Sequence, residues 1–352
     1  MTREELLSAL KEGRKDFHGE DLSGADLSHL DIRGVDLHGS NLCGVNFRWT
    51  DLFRVNLQGA NLSKARLEHA HLQEARLQGA NAEGAVLMEA DLRGAYIYDA
   101  VLSRADLSGA VLDRADLDGA CLQEANLKEA SLQKAHLWKA RLLLADLQEA
   151  NLQGAFLWKA DLRGADLSNA KLCEADLVAT HLSKANLQEA DLAAAKLACA
   201  DLWKANLQKA VLRMASLQMA NLEEAGLASA DLSKADFFQA NLRDADLRAT
   251  NLLNADLQGA NLQGAMFEEA NLSGANLQDA RLYGVNFYRA NLREVNLQKA
   301  HLTGSDFSLS NLEGANLCGA DLQRVNLSGV DLRETNLDGA DLRGAKLDGA
   351  LR

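Results

Sequence analysis

Large apolar residues recur along this chain every five positions. Stepping by five from Phe17 to Leu347 gives 67 positions, of which 58 are Leu, six Phe, two Ile and one Ala. Two residues before each lies a second column; from Val35 to Ala350 its 64 members are all Ala, Val, Ser or Thr, and 50 are Ala. Between the two columns, from Asp21 to Lys346, 44 of 66 residues are Asp or Asn. The frame never slips. A strand alternates every two residues, and an α-helix returns an apolar residue at three and four. A step of five would turn about 140° per repeat around an α-helix and spread the leucines over every side. One large and one small inward residue in every five fit a chain that turns a corner each repeat, with Leu on the axis and the small residue where corners crowd. Glycine agrees with this: 24 of 26 Gly stand two residues after the large position, as at Gly24, Gly34 and Gly259. That slot tolerates a positive φ. Lys, Glu and Arg occupy it too, so the expectation is that only some corners need that conformation.

The unit Ala-Asp/Asn-Leu-x-x, as in Ala60-Asn61-Leu62-Ser63-Lys64 and Ala160-Asp161-Leu162-Arg163-Gly164, resembles the pentapeptide repeat family. The resemblance implies an all-β fold, a right-handed quadrilateral parallel β-helix with four repeats per coil. About 17 coils at a spacing of ~4.8 Å would make a rod of roughly 80 Å. Thr2 and Glu5 read as a capping box, and Leu6, Leu7 and Leu10 form one apolar face. A short helix over residues 1–14 is therefore expected to cap the first coil and cover its open edge. Residues 15–352 are expected to form one repeat domain. The repeats run to Ala350-Leu351-Arg352 without a cap, and some family members join through their C-terminal ends, so an end-to-end homodimer is expected there.

Composition narrows the function classes. None of the 352 residues is Pro, where an average chain of this length holds roughly 18; nearly every backbone N–H is expected to be in use. With 37 Lys+Arg against 50 Asp+Glu the net charge is −13, which argues against gripping nucleic-acid phosphates. No stretch of 18 apolar residues is present, and no apolar segment of a secretory signal follows Met1; a cytoplasmic protein without a membrane span is expected. Cys43, Cys121, Cys173, Cys199 and Cys318 show no metal or disulfide spacing and are expected to be free thiols. No HExxH, GxSxG or GxxxxGK[ST] motif occurs, and a filled solenoid offers no converging catalytic groups. The chain is expected to be no enzyme and to hold no cofactor or metal. His71, His136, His181 and His301 stand in the Asp/Asn column and are expected to pair with the aspartates one coil away.

What remains is surface. Sorted by a 20-residue coil, one face carries Tyr96, Tyr98, Trp138, Phe156, Trp158, Val178 and Phe238, with Trp138 and Trp158 one coil apart. An exposed apolar stripe of this kind marks a site for a protein partner. The opposite face holds Glu89, Asp106, Glu129, Asp146, Glu149, Asp166 and Glu189 against Lys128 alone between Val86 and Glu189. The family resemblance implies an alternative for that face, since some pentapeptide repeat proteins bind DNA gyrase or topoisomerase IV as DNA mimics. Duplex DNA carries one charge per ~1.7 Å, about 47 over ~80 Å, so a net −13 is a poor match. A protein-binding or spacer scaffold is the leading reading.

Overall fold

A computed structural model describes all residues, Met1–Arg352, and divides into two compact units, Met1–Asp176 and Leu177–Arg352. Both are built the same way. Asp/Asn-column residues pair in parallel with the residue twenty later, from Asp16 with Asp36 to Phe156 with Asp176 in the first unit, and, Asn311 with Asp331 excepted, from His181 with Asp201 to Asp331 with Leu351 in the second. Four pentapeptides therefore make one turn of a parallel β-helix, and each strand is a single-residue rung. The Leu column fills the interior, with Leu62 and Leu222 fully buried, and the Ala column lines the corners. In the second unit Phe267, Phe287 and Phe307 stack down the axis with ring centroids 5.2 and 4.8 Å apart.

The repeat uses every backbone donor it has. In Ala60–Lys64, Ala60 N–H donates to Leu57 C=O (3.0 Å) and Asn61 N–H to Ser40 C=O (2.9 Å) on the coil before. Leu62 N–H donates to Asn81 C=O (2.6 Å) and Lys64 N–H to Glu83 C=O (3.0 Å) on the coil after. The fifth donor, Ser63 N–H, reaches Asn61 Oδ1 at 3.2 Å. No position in such a repeat can give up its N–H, which explains the lack of proline. The last bond also explains the Asp/Asn column: a short side-chain oxygen two residues back mimics a backbone acceptor. Asn adds a ladder of its own, as Asn261 Nδ2 donates to Asn241 Oδ1, Asn241 to Asn221 and Asn221 to Asp201, at 3.0, 3.0 and 2.9 Å. Most Ser and Thr in the small column satisfy their buried hydroxyls on the backbone, as Thr50 does on Leu27 C=O and Ser305 on Leu282 C=O.

Two expectations need correction. Every corner residue from Gly19 to Gly349 except Glu334 has a positive φ, between 54° and 75°, whether or not it is glycine. With Ala25 N–H bonded to Leu22 C=O at 3.0 Å and its equivalents, the corners are type II turns, which require φ > 0 at the third residue. The histidine reading also changes. His71, His136 and His301 make no ion pair with the aspartates on their rungs; His136 tilts against Phe156 (4.9 Å) and His301 stacks on Tyr283 (5.8 Å). Carboxylates instead hold His18, His38 and His69, through Asp16 (2.7 Å), Asp36 (2.8 Å) and Glu89 (3.3 Å).

The helix α1 (Arg3–Lys11) begins with the expected capping box: Thr2 Oγ1 accepts Glu5 N–H and Glu5 Oε2 accepts Thr2 N–H, at 3.2 and 2.7 Å. It buries Leu6. The Met1 amine donates to Asp21 C=O and the Arg3 guanidinium to Asp26 C=O and Ser28 C=O. In later coils such carbonyls accept N–H groups from the coil before, so α1 supplies the missing donors. Near the other end, Leu337, Leu342 and Leu347 are only half-buried. One rung is also missing there. The bonds Asp331 N–H to Ser310 C=O, Leu312 N–H to Asp331 C=O and Gly314 N–H to Arg333 C=O are not made, and a notch of about 560 Å3 opens between those segments. Ser310 Oγ is buried there without a partner. No helix is long and apolar enough to cross a membrane, and Cys43, Cys121, Cys199 and Cys318 are free thiols.

Candidate functional site

The aromatic stripe is built by the 20-residue register of the first unit. The column 98–118–138–158 reads Tyr98, Asp118, Trp138, Trp158, and the rung column beside it reads Tyr96, Asp116, His136, Phe156. Trp138 and Trp158 are 40% and 41% exposed and lie parallel, with centroids 6.1 Å apart and planes 11° apart. The corner residue after each indole turns its ammonium back onto the ring, Lys139 at 4.1 Å from Trp138 and Lys159 at 4.5 Å from Trp158. Ordinarily two exposed indoles would be loose; here a backbone ladder spaces them and a cation–π contact holds each one. Both lysines are consequences of the turn geometry that the five-residue pattern did not point to.

Where Asp118 replaces an aromatic residue, the stripe has a notch of about 460 Å3 lined by Tyr98, Asp99, Asp116, Asp118, Gly119, Trp138 and Lys139. Asp118 Oδ1 accepts Trp138 N–H at 2.8 Å, and Asp116 Oδ1 accepts Asp118 N–H at 3.2 Å. Burial pushes the Asp118 carboxyl above the usual range; the charges of Asp116 and Asp99 push the same way, against the Trp138 N–H bond and the nearby His136. Asp16, Asp31, Asp91, Asp246 and Asp341, each bonded to a cationic neighbour, are shifted the other way.

A family model described as pentapeptide repeats matches segments running from residue 21 to residue 349, including 21–59, 90–128, 205–244 and 310–349. The chain belongs to the pentapeptide repeat family. Among solved structures it is similar to HetL, a pentapeptide repeat protein involved in heterocyst differentiation regulation from the cyanobacterium Nostoc sp. strain PCC 7120, with 35% identity over 58% of this chain and 88% of that one and a TM-score of 0.34. A trypsin-treated form of QnrB1, a plasmid-mediated fluoroquinolone resistance protein, matches with 24% identity over 53% and 87% of the two chains and a TM-score of 0.30. Rfr23 from the cyanobacterium Cyanothece 51142 matches with 32% identity over 32% and 63%, at a TM-score of 0.15. No curated protein matches.

The remaining surface residues of this pentapeptide repeat protein are distributed as follows. Val178 and Phe238 belong to the second unit, where Phe238 is 36% exposed and donates its N–H to Asp236 Oδ1 at 2.9 Å. Of the acidic residues, Asp106, Asp146 and Asp166 are half-buried rung residues. Asp106 accepts Ser108 N–H and Asn126 Nδ2 (3.0 and 2.9 Å), Asp146 accepts Gln148 N–H (3.0 Å), and Asp166 accepts Ser168 N–H and Gln148 Nε2, both at 2.9 Å. Glu89 pairs with His69, which stacks on Trp49 at 4.0 Å. Glu189, in the second unit, pairs with Lys209 at 3.1 Å. Glu129 and Glu149 are exposed corner residues. No group of three or more His, Cys, Asp or Glu is gathered to hold a metal ion.

Proposed function

We propose that this chain is a non-catalytic repeat scaffold that binds a protein partner through the stripe formed by Tyr96, Tyr98, Trp138, Phe156 and Trp158. The observation that carries the reading is the parallel, lysine-braced pair of exposed indoles. Two rigid aromatic anchors lose little entropy on binding and are the commonest residues to dominate an interface. Affinity capture with the wild-type chain should retain a partner that the Trp138→Lys/Trp158→Lys variant loses. A variant that retains every partner would remove the stripe as the binding surface.

A gyrase- or topoisomerase-directed DNA mimic is the weaker reading. Three of the seven members of its acidic face, Asp106, Asp146 and Asp166, are rung carboxylates that hold turns or amide ladders, whereas a mimic needs carboxylates presented like phosphates. For the architecture we infer, from the unbroken five-residue frame and the family, one right-handed domain over residues 15–352 of about 17 coils. We further infer an end-to-end homodimer over the half-buried Leu337, Leu342 and Leu347; a strict monomer by light scattering at micromolar concentration would overturn it. The free thiols of Cys43, Cys121, Cys199 and Cys318 are in keeping with a reducing, cytoplasmic setting.

A further inference from the structure

The notch beside Trp138 carries a more specific assignment, which rests on the protein-binding reading above and names what the partner presents. Along the stripe, Tyr98 and Trp138 lie two coils apart with the shorter Asp118 between them. Two coil spacings are about 10 Å, which leaves room for a flat group between the phenol and the indole, both of which line the notch. The floor is Gly119, where a side chain would press onto Asp99 Oδ1. Three carboxylates border the opening, Asp99, Asp116 and Asp118, and none has a Lys, Arg or His nitrogen within 4 Å. Several carboxylates elsewhere on this unit do have such a partner: Asp31 has Arg33, Glu74 has Arg54, Asp91 has Arg93 and Glu124 has Arg104. The one cation at the notch, Lys139, is engaged with the Trp138 ring.

We propose that this notch receives an arginine side chain from a basic segment of the protein partner. Aromatic walls and unpaired carboxylates are complementary to a cation, and the absence of clustered metal ligands leaves an organic one. A guanidinium is favoured over an ammonium on three counts. It is planar and stacks on an aromatic ring, its fork of N–H donors spans two carboxylates, and it is the more weakly hydrated cation. Asp116 and Asp118 lie on the same repeat and are the pair such a fork would engage. Trp158, one coil further on, then supplies apolar contact next to the charged anchor, as interface cores arrange their aromatic residues.

The test uses the full-length protein and octapeptides alternating glycine with arginine, lysine or glutamate. The arginine peptide should bind and perturb the Trp138 indole N–H resonance. The lysine peptide should bind more weakly, and the glutamate peptide not at all. Asp116→Asn/Asp118→Asn keeps the side-chain acceptors for Asp118 N–H and Trp138 N–H while removing both charges. It should weaken arginine-peptide binding by about tenfold or more, since one charge-assisted bond is worth about that factor. Unchanged far-UV circular dichroism and melting would show that this variant folds. An arginine peptide that does not bind at millimolar concentration, binds no better than lysine, or binds the double variant equally well overturns the proposal. The same double variant in the affinity capture separates the two readings: if the partner is lost with Trp138→Lys/Trp158→Lys but kept with Asp116→Asn/Asp118→Asn, the stripe stands and the arginine notch falls.

Discussion

The corner residue bears most of the backbone strain in this molecule. An L-residue at φ near +57° brings its Cβ close to the following carbonyl oxygen, at a cost of about 1–2 kcal/mol. His29, Trp49, Lys64 and Lys139 all adopt that conformation without being glycine, so the ladder bonds on either side must outweigh the strain. Gly34 isolates the effect, because a Cβ there would meet nothing within 4 Å. Gly34→Ala should therefore lower unfolding stability by about 1 kcal/mol through the backbone alone, read as a shift in urea midpoint at constant m-value. At the same scale, the column of Asp and Asn was legible as a pattern, but its cause was not. That Asn61 Oδ1 takes the Ser63 N–H depends on the turn that follows, which the residue types alone do not specify.

At the scale of the single repeat, Glu334 shows what a corner does for its neighbours. It is the one corner outside the left-handed region, and the adjoining rung between Ser310–Gly314 and Asp331–Arg333 is the one that fails within the second unit's bonded coils. The turn itself still closes, with Thr335 N–H on Leu332 C=O at 3.0 Å, but without a positive φ at Glu334 the Arg333 carbonyl is aimed differently, and Leu312 N–H and Gly314 N–H lack their usual acceptors. Glu334→Gly removes the steric penalty for positive φ and should close the rung. Amide exchange at Leu312, Gly314 and Asp331 should then slow to the rate of the neighbouring coils; exchange that stays fast would show that Glu334 is not the cause. The N-terminal element was read more completely from sequence, since the Thr2/Glu5 capping box needs only local chemistry. What sequence did not disclose is that Arg3 reaches Asp26 C=O and Ser28 C=O, a contact that requires the coil beneath.

At the scale of the whole molecule two periods govern, and they have different origins. Each pentapeptide closes its own turn by a local bond, such as Ala60 N–H to Leu57 C=O, while its rung bonds reach residues about twenty away. Removing residues 141–145 deletes one complete repeat and leaves the five-residue frame intact, so every inward column stays inward. Far-UV circular dichroism and cooperative unfolding should persist. Trp138 and Trp158, however, would move to adjacent sides of the coil, and their exciton coupling in the near-UV should disappear together with partner capture. Retained coupling would mean that the indoles interact by some route other than the 20-residue register.

That contrast separates what each level of description decides. The repeat, the inward Leu and Ala columns and the exclusion of proline were readable from residue types and spacing alone, because they follow from which side chains fit a corner that recurs every five residues. The sequence also placed Trp138 and Trp158 together, though only once a coil length was borrowed from the family. The tertiary structure decided the rest: that nearly all corners take positive φ, that His136 leans on Phe156 rather than pairing with its rung aspartate, and that Lys139 folds onto Trp138 beside three unpaired carboxylates. Each of these depends on neighbours one or two coils away, and a residue's neighbours across coils exist only after the chain has closed its square and stacked.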